Sequence, residues 1–119
     1  GVTLHHPSGD LKKVSTFNTG TKSSTFGEKT PDTHWEVGWR ATTNGHGTTQ
    51  GGSSGAPLFD EGGRIIGTLT GGFSSCSSRT RNDFFGKLSY SWQSNGTAAN
   101  RRLRPWLDPD GTGVLRMAS

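Results

Sequence analysis

The 119-residue chain has the length of one domain, which we predict to span residues 1–119. Its formal net charge is only +4, 19 residues are glycine, and 20 are Leu, Ile, Val or Phe. This composition favours a turn-rich β-domain with a thin core over a disordered, highly charged chain. No apolar run approaches the roughly 20 residues needed to cross a bilayer, so we predict no membrane partner.

Short strands separated by turn signals account for most of the chain. Apolar and polar residues alternate most clearly over residues 34–40, where Trp35, Val37 and Trp39 share one face. Helix formers occupy residues 98–103, and Pro105 limits how far a regular helix can run. Loops are predicted over residues 18–32, 41–51 and 71–82, and six strands over residues 2–4, 11–17, 34–40, 56–59, 64–70 and 83–90. The pattern predicts an all-β fold, a small antiparallel barrel followed by a short C-terminal helix.

A glycine-flanked turn at residues 50–59, Gln-Gly-Gly-Ser-Ser-Gly-Ala-Pro-Leu-Phe, carries the candidate chemistry. Ser54 is the candidate nucleophile, and Gly52 lets the chain bend so that the amides of Gly52 and Ser54 form an oxyanion hole. A flexible turn without function is one alternative. A nucleophile elbow centred on Ser53 is another, but an elbow needs a helix directly after the serine, whereas Pro57 and the following hairpin pattern favour Ser54.

Two other ligand classes receive little support from the sequence. The basic residues within 101–104 lie beside Trp106 but lack interleaved aromatic platforms, so we predict no nucleic-acid partner. The four histidines lack a convincing metal-ligand spacing, because the adjacent His5 and His6 would face opposite sides of a strand. We therefore predict neither a metal nor a cofactor.

Several segments together resemble the chymotrypsin-like serine proteases, and among them the bacterial lysyl endopeptidases most closely. These segments are residues 5–7 (His-His-Pro), 51–58, 71–77, 82–86 and 106–109. The resemblance implies a protein built from two antiparallel β-barrels, of which this chain corresponds to the second barrel and the C-terminal segment. It also implies a serine endopeptidase that forms an acyl-enzyme on Ser54.

The resemblance leaves the catalytic triad incomplete. In this family the triad His and Asp precede the serine on the first barrel, and they have no counterparts here. His5 and His6 match a family segment that is not catalytic, and nearness of His46 to Ser54 along the chain says little about spatial reach. The isolated chain is therefore expected to be nearly inactive, with the N-terminal barrel or a self-associated copy as its partner. The start at Gly1 is expected to lie within a domain and to lack a signal peptide.

The resemblance also assigns residues that bind a basic peptide substrate. Trypsin's pocket acid lies six residues before the serine, where this chain has Thr48, whereas the lysyl endopeptidases place theirs in an Asp-aromatic-Gly context that matches Asp83. Thr70 and Phe26 stand where the family prototype has a stacked His–Trp pair, so that pair is missing. The segment at Thr70 and Gly71 would pair with the substrate backbone. We predict cleavage after Lys, with Arg as a second candidate. The alternative for Asp83 is an ordinary surface aspartate.

Cys76 and Ser53 bear on location and activation. The family resemblance implies that Cys76 forms a disulfide with the N-terminal part of the protease and that the protein is secreted or in the bacterial cell envelope. In a reducing cytosol, Cys76 would be an ordinary small residue. Ser53 stands where digestive relatives have an aspartate that switches the zymogen on, so that form of activation is not expected. The runner-up function is a non-catalytic peptide-binding or structural β-domain.

Overall fold

The structure is a computed structural model that describes residues 1–27 and 30–117. Two compact units divide between Leu88 and Ser89. The strands in the described part are β1 (Val2–His5), β2 (Lys13–Thr16), β3 (Lys22–Ser24), β4 (His34–Val37), β5 (Ala41–Thr42), β6 (Gly45–His46), β7 (Pro57–Phe59), β8 (Ile65–Gly72) and β9 (Asp83–Lys87). The helices there are α1 (Leu88–Gln93) and α2 (Arg104–Leu107), with 3₁₀ turns at Pro7–Gly9 and Ala99–Arg101.

Seven of these strands form one antiparallel sheet in the order β2-β1-β7-β8-β9-β4-β3, and β5 and β6 form a separate hairpin. Beyond β4, the amide of Arg40 donates to the carbonyl of Thr16 at 3.1 Å, which links this end of the sheet back to β2. The predicted all-β antiparallel fold class is confirmed.

The core lies in the first unit and follows the predicted alternation. Val37 and Trp39 are both 1% exposed, and the Trp39 ring contacts Phe17 and Phe85 edge-on at 6.3 and 6.1 Å between centroids. Burial of these side chains supplies the main favourable term for folding the sheet. The buried apolar cluster consists of Phe17, Val37, Trp39, Ala56, Leu58, Leu69 and Phe85.

The predicted elements depart from the structure in several places. The predicted loop 41–51 contains the β5–β6 hairpin. β3 lies inside the predicted loop 18–32, because its polar sequence Lys-Ser-Ser carries no apolar alternation although its backbone pairs with β4. The strand predicted over residues 83–90 ends at Lys87, and α1 begins at Leu88. Pro105 lies in the first turn of α2 instead of limiting the preceding helix, since the first helical turn needs no N–H from that residue.

No helix among residues 1–27 and 30–117 combines the length and apolar character needed to cross a membrane.

Replacing Leu58 with alanine should lower the free energy of unfolding by about 2–5 kcal/mol. Leu58 is 0% exposed and belongs to the apolar cluster, so the truncation removes apolar burial and leaves a cavity. Leu11→Ala is the matched control, because Leu11 is 78% exposed and its truncation should change stability by no more than about 0.5 kcal/mol. Urea unfolding of both variants measures the difference, and equal losses would contradict the core described above.

Candidate active site

The serine turn is built by two glycines and anchored at both ends. Gly52 and Gly55 have φ values of +90° and +84°, a backbone conformation that favours glycine over residues with a side chain. The Ser53 amide donates to the Gln50 carbonyl at 3.1 Å, and the Gly55 amide donates to the Leu69 carbonyl of β8 at 2.8 Å. The turn is thereby fastened to the sheet.

The two serines of the turn face different environments. Ser53 is 2% exposed, whereas Ser54 is exposed to solvent. Within residues 1–27 and 30–117, the Ser54 hydroxyl makes no hydrogen bond, and the amides of Gly52 and Ser54 have no hydrogen-bond acceptor. An exposed hydroxyl beside two uncommitted amides has the parts required for attack on a carbonyl and for binding the resulting oxyanion.

A buried polar chain lies behind the turn. The Ser53 hydroxyl is 2.9 Å from Nδ1 of His5, and Nε2 of His5 is 3.1 Å from the hydroxyl of Ser15. All three side chains are at most 3% exposed. Burial lowers the pKa of His5, and the nearby Asp83 carboxyl partly opposes that shift. Sequence reasoning missed this contact because His5 and Ser53 are 48 positions apart and local spacing carries no signal of it.

No histidine hydrogen-bonds the Ser54 hydroxyl in the described part of the chain. His5 bonds Ser53 and Ser15, His6 bonds the Asp10 carbonyl, and His46 bonds the Gly47 carbonyl. His34 bonds the hydroxyls of Thr33 and Thr70, at 2.7 and 3.0 Å. The Ser54 hydroxyl therefore has no hydrogen-bonded base among the described residues.

Asp83 begins β9 and is 0% exposed, so it is not a surface aspartate. Its Oδ2 accepts hydrogen bonds from the Trp39 indole at 2.6 Å, from the Thr49 hydroxyl at 2.7 Å and from the Ser74 hydroxyl. Its Oδ1 accepts from the Ser74 amide at 3.0 Å. Among the described residues no cation forms a salt bridge with it. Neutral donors therefore satisfy the buried carboxyl group without a charged partner among the described residues.

The acid and the serine turn are linked through two chain segments. Thr49, which bonds Asp83, immediately precedes the turn at residues 50–59. Gly72 of β8 pairs with Asp83, and a side chain at Gly72 would overlap the Asp83 carboxylate. Gly55 of the turn bonds Leu69 of the same strand. β8 thus runs from the serine turn to the buried acid.

The family model described as lysyl endopeptidase, C-terminal domain, matches residues 1–86. The chain belongs to this family. The matched segment includes the serine turn, Asp83 and the His5 contact, and it confirms the resemblance inferred from the motifs.

Phe26 and Thr70 both contact His34, the Phe26 ring meeting the His34 ring edge-on with 6.0 Å between centroids. The Phe26 ring stacks on Phe84, with 4.6 Å between centroids and 10° between planes, and it meets Phe73 edge-on at 5.9 Å. The Thr70 hydroxyl bonds His34. Phe73 is 51% exposed, so the aromatic cluster of Phe26, Phe73 and Phe84 is accessible to solvent at Phe73. Gly71 lies beside this cluster, and a Cβ added at Gly71 would lie 3.3 Å from Phe26.

Cys76 lies in the segment after β8, is exposed and has a free thiol. The Gln50 amide nitrogen donates to its sulfur at 3.1 Å. These 119 residues contain no second cysteine with which Cys76 could pair.

The fold therefore brings together some of the predicted site residues and not others. Ser54 and Gly52 share one turn, and Asp83 lies one hydrogen bond from Thr49, next to that turn. The histidines do not join them. Trp39, Thr49 and Ser74, which hold the acid, were not predicted from the sequence.

Proposed function

We propose that this domain supplies the nucleophile, the oxyanion hole and the cation-binding acid of a serine endopeptidase that cleaves peptide bonds after Lys. The triad His and Asp would come from the N-terminal barrel of the same protease. The observation that carries the proposal is the exposed Ser54 on a glycine turn whose Gly52 and Ser54 amides have no acceptor among the described residues.

The proposed reaction is acyl transfer. Oγ of Ser54 attacks the carbonyl carbon of the scissile bond, and the histidine of the N-terminal barrel takes the hydroxyl proton. The carbonyl π electrons move to its oxygen, which the Gly52 and Ser54 amides then hold. Collapse of this intermediate breaks the C–N bond, and the histidine returns the proton to the leaving amine. Water then attacks the acyl-enzyme through the same steps and releases the acyl group from Ser54.

The hydrogen bonds of Asp83 favour Lys over Arg as the residue recognised. Oδ2 already accepts three hydrogen bonds, whereas Oδ1 accepts one from the Ser74 amide. A carboxylate oxygen offers about two lone-pair sites, so Oδ1 retains capacity for a further donor. A lysine ammonium needs only one such oxygen, while the arginine fork prefers both oxygens of a carboxylate.

The edge of β8 offers a place for the substrate backbone. The β7–β8 ladder ends near Leu69, whose amide bonds the Ala56 carbonyl at 2.9 Å. Gly71 and Gly72 continue β8 and, in the described part of the sheet, pair only with β9. An extended peptide could add to this free edge beside Asp83.

Labelling with a peptide phosphonate ester that carries a lysine-like side chain tests the proposal. We expect no adduct on the chain alone, since Ser54 lacks a base, and one adduct when the chain is joined behind a lysyl endopeptidase N-terminal barrel in a single polypeptide. Intact mass and peptide mapping measure the adduct. A folded single polypeptide that binds the lysyl peptide without any adduct would contradict the protease proposal and favour the binding-module alternative.

Secretion and a disulfide from Cys76 to the N-terminal barrel belong to the same proposal. The exposure of Cys76 supports the pairing, because an exposed sulfur is accessible to a second cysteine.

A further inference from the structure

The buried chain of Ser15, His5 and Ser53 determines which nitrogen of His5 carries the proton. The Ser15 hydroxyl donates its hydrogen to the Thr48 carbonyl at 2.7 Å. It must therefore accept in its 3.1 Å contact with His5, so Nε2 of His5 carries a hydrogen. A neutral imidazole has one N–H, which leaves Nδ1 as the acceptor of the Ser53 hydroxyl at 2.9 Å.

The hydrogen bonds from Ser15 through His5 to Ser53 fix Ser53, which is the residue between the two proposed oxyanion donors. Ser53 lies between Gly52 and Ser54, and its own backbone completes the turn by donating to Gln50 and accepting from Ala56 at 3.0 Å. With its hydroxyl held by His5 as well, Ser53 is constrained through both its side chain and its backbone. A shift of Ser53 would move both neighbouring amides.

We propose that His5 is a positioning residue for the nucleophile: its neutral imidazole holds Ser53 and thereby keeps the amides of Gly52 and Ser54 in place. The catalytic part of this proposal rests on the proposed protease function, whereas the control of the turn by His5 does not. His5 touches no reacting atom in this scheme and acts only through Ser53.

Protonation of His5 would disturb the arrangement. It places a hydrogen on Nδ1, so Ser53 must change from donor to acceptor and its own hydrogen loses its partner in a buried site. The charged groups that act on His5 are Asp83, which favours the cation, and His6, which disfavours it, while burial disfavours it most. The turn is therefore expected to loosen when His5 becomes charged.

The pH range follows from the direction of the shift. Burial places the pKa of His5 below its ordinary value of about 6.5. Above about pH 6.5, His5 is neutral in the folded and unfolded states, and its contribution to stability is fully present. As the pH falls below about 6.5, the unfolded state binds the proton first, so stability is lost until the lowered pKa of the folded state is reached.

Nitrogen NMR of the histidine side chains in the full chain, from about pH 4 to about pH 8, tests the structural part without requiring activity. We expect His5 to be the Nε2–H tautomer at neutral pH, to titrate below about pH 6.5, and to shift the Gly52 and Ser54 amide signals with the same midpoint. His46→Asn is the control, because the His46 ring bonds the neighbouring Gly47 carbonyl and does not act on the pKa of His5, so its loss should preserve these signals. An Nδ1–H tautomer, or Gly52 and Ser54 amide signals that do not shift as His5 titrates, would overturn the proposal.

Activity of the single polypeptide with the N-terminal barrel tests the catalytic part. His5→Asn places an amide oxygen near the Nδ1 position and should retain kcat within a fewfold, whereas His5→Gln and Ser53→Ala should lower kcat about 10- to 100-fold with little change in KM. Equal losses for His5→Asn and His5→Gln, or losses confined to KM, would overturn the positioning role. If the unsubstituted polypeptide is inactive while the NMR result holds, the proposed function fails and the control of the turn by His5 stands.

Discussion

Replacing Ser54 with alanine in the single polypeptide that carries both barrels is expected to lower kcat by about 10⁶-fold. The substitution removes the only oxygen proposed to form the acyl-enzyme, and the remaining oxyanion hole and binding sites leave about 10³- to 10⁴-fold catalysis over water. Folding should be unaffected, because Ser54 is exposed and its hydroxyl makes no hydrogen bond within the described residues. Steady-state hydrolysis of a lysyl ester, together with phosphonate labelling, measures the loss.

The variants Ser53→Ala and Ser54→Ala decide which serine is the nucleophile. Ser94→Ala is the control for serine loss at an exposed position of the second unit, and it should leave kcat unchanged. Ser53→Ala should slow labelling yet leave the adduct on Ser54. An adduct that maps to Ser53 in the Ser54→Ala variant would contradict the assignment and restore the nucleophile elbow centred on Ser53.

Replacing Asp83 with asparagine should lower kcat/KM for lysyl substrates by about 10²- to 10³-fold, since the substrate ammonium would lose a buried charged partner. A loss of activity that is shared by all substrates would come in part from lower stability of the fold. The asparagine NH₂ group would face donors that now bond the carboxylate, either the Ser74 amide or the Trp39 indole and the Thr49 hydroxyl. The hydrogen bonds lost in this way cost about 1–3 kcal/mol of stability.

A neutral substrate separates specificity from stability. Norleucine has the length of lysine without its charge, so Asp83→Asn should lower the ratio of lysine to norleucine cleavage whatever it does to the fold. Asp110→Asn provides the matched control at an exposed position. An unchanged lysine-to-norleucine ratio in Asp83→Asn would exclude Asp83 as the acid that recognises the substrate. We also expect the unsubstituted single polypeptide with both barrels to cleave after Lys faster than after Arg, because only Oδ1 retains acceptor capacity.

The parts of the fold that depend on local chemistry were predictable from the sequence. The glycines at 52 and 55 indicated a turn that displays a serine, and they adopt the positive φ values that such a turn requires. The alternation of Val37 and Trp39 with polar neighbours indicated the buried face that the structure contains. Both signals depend on residues within a few positions of each other, so chain order alone carries them.

Strand β3 and the function of Pro105 escaped prediction for a related reason. β3 has a polar sequence and gains its structure from backbone pairing with β4, which leaves no mark on side-chain type. Pro105 reads as a stop signal when position within the helix is unknown, yet it occupies the first turn of α2. The structure of β3 depends on the strand beside it, and the effect of Pro105 depends on its position within the helix.

The sequence by itself determined the motif, the nucleophile candidate and, through the family resemblance, the choice of Asp83. Only the tertiary structure decided what surrounds them. Trp39 and Thr49 reach Asp83 from 44 and 34 positions away, and Ser53 meets His5 across 48 positions. Contacts of this kind depend on strand order and register, because a shift of one residue turns every side chain of a strand to its other face. Local spacing carries no record of that register, whereas the folded sheet does.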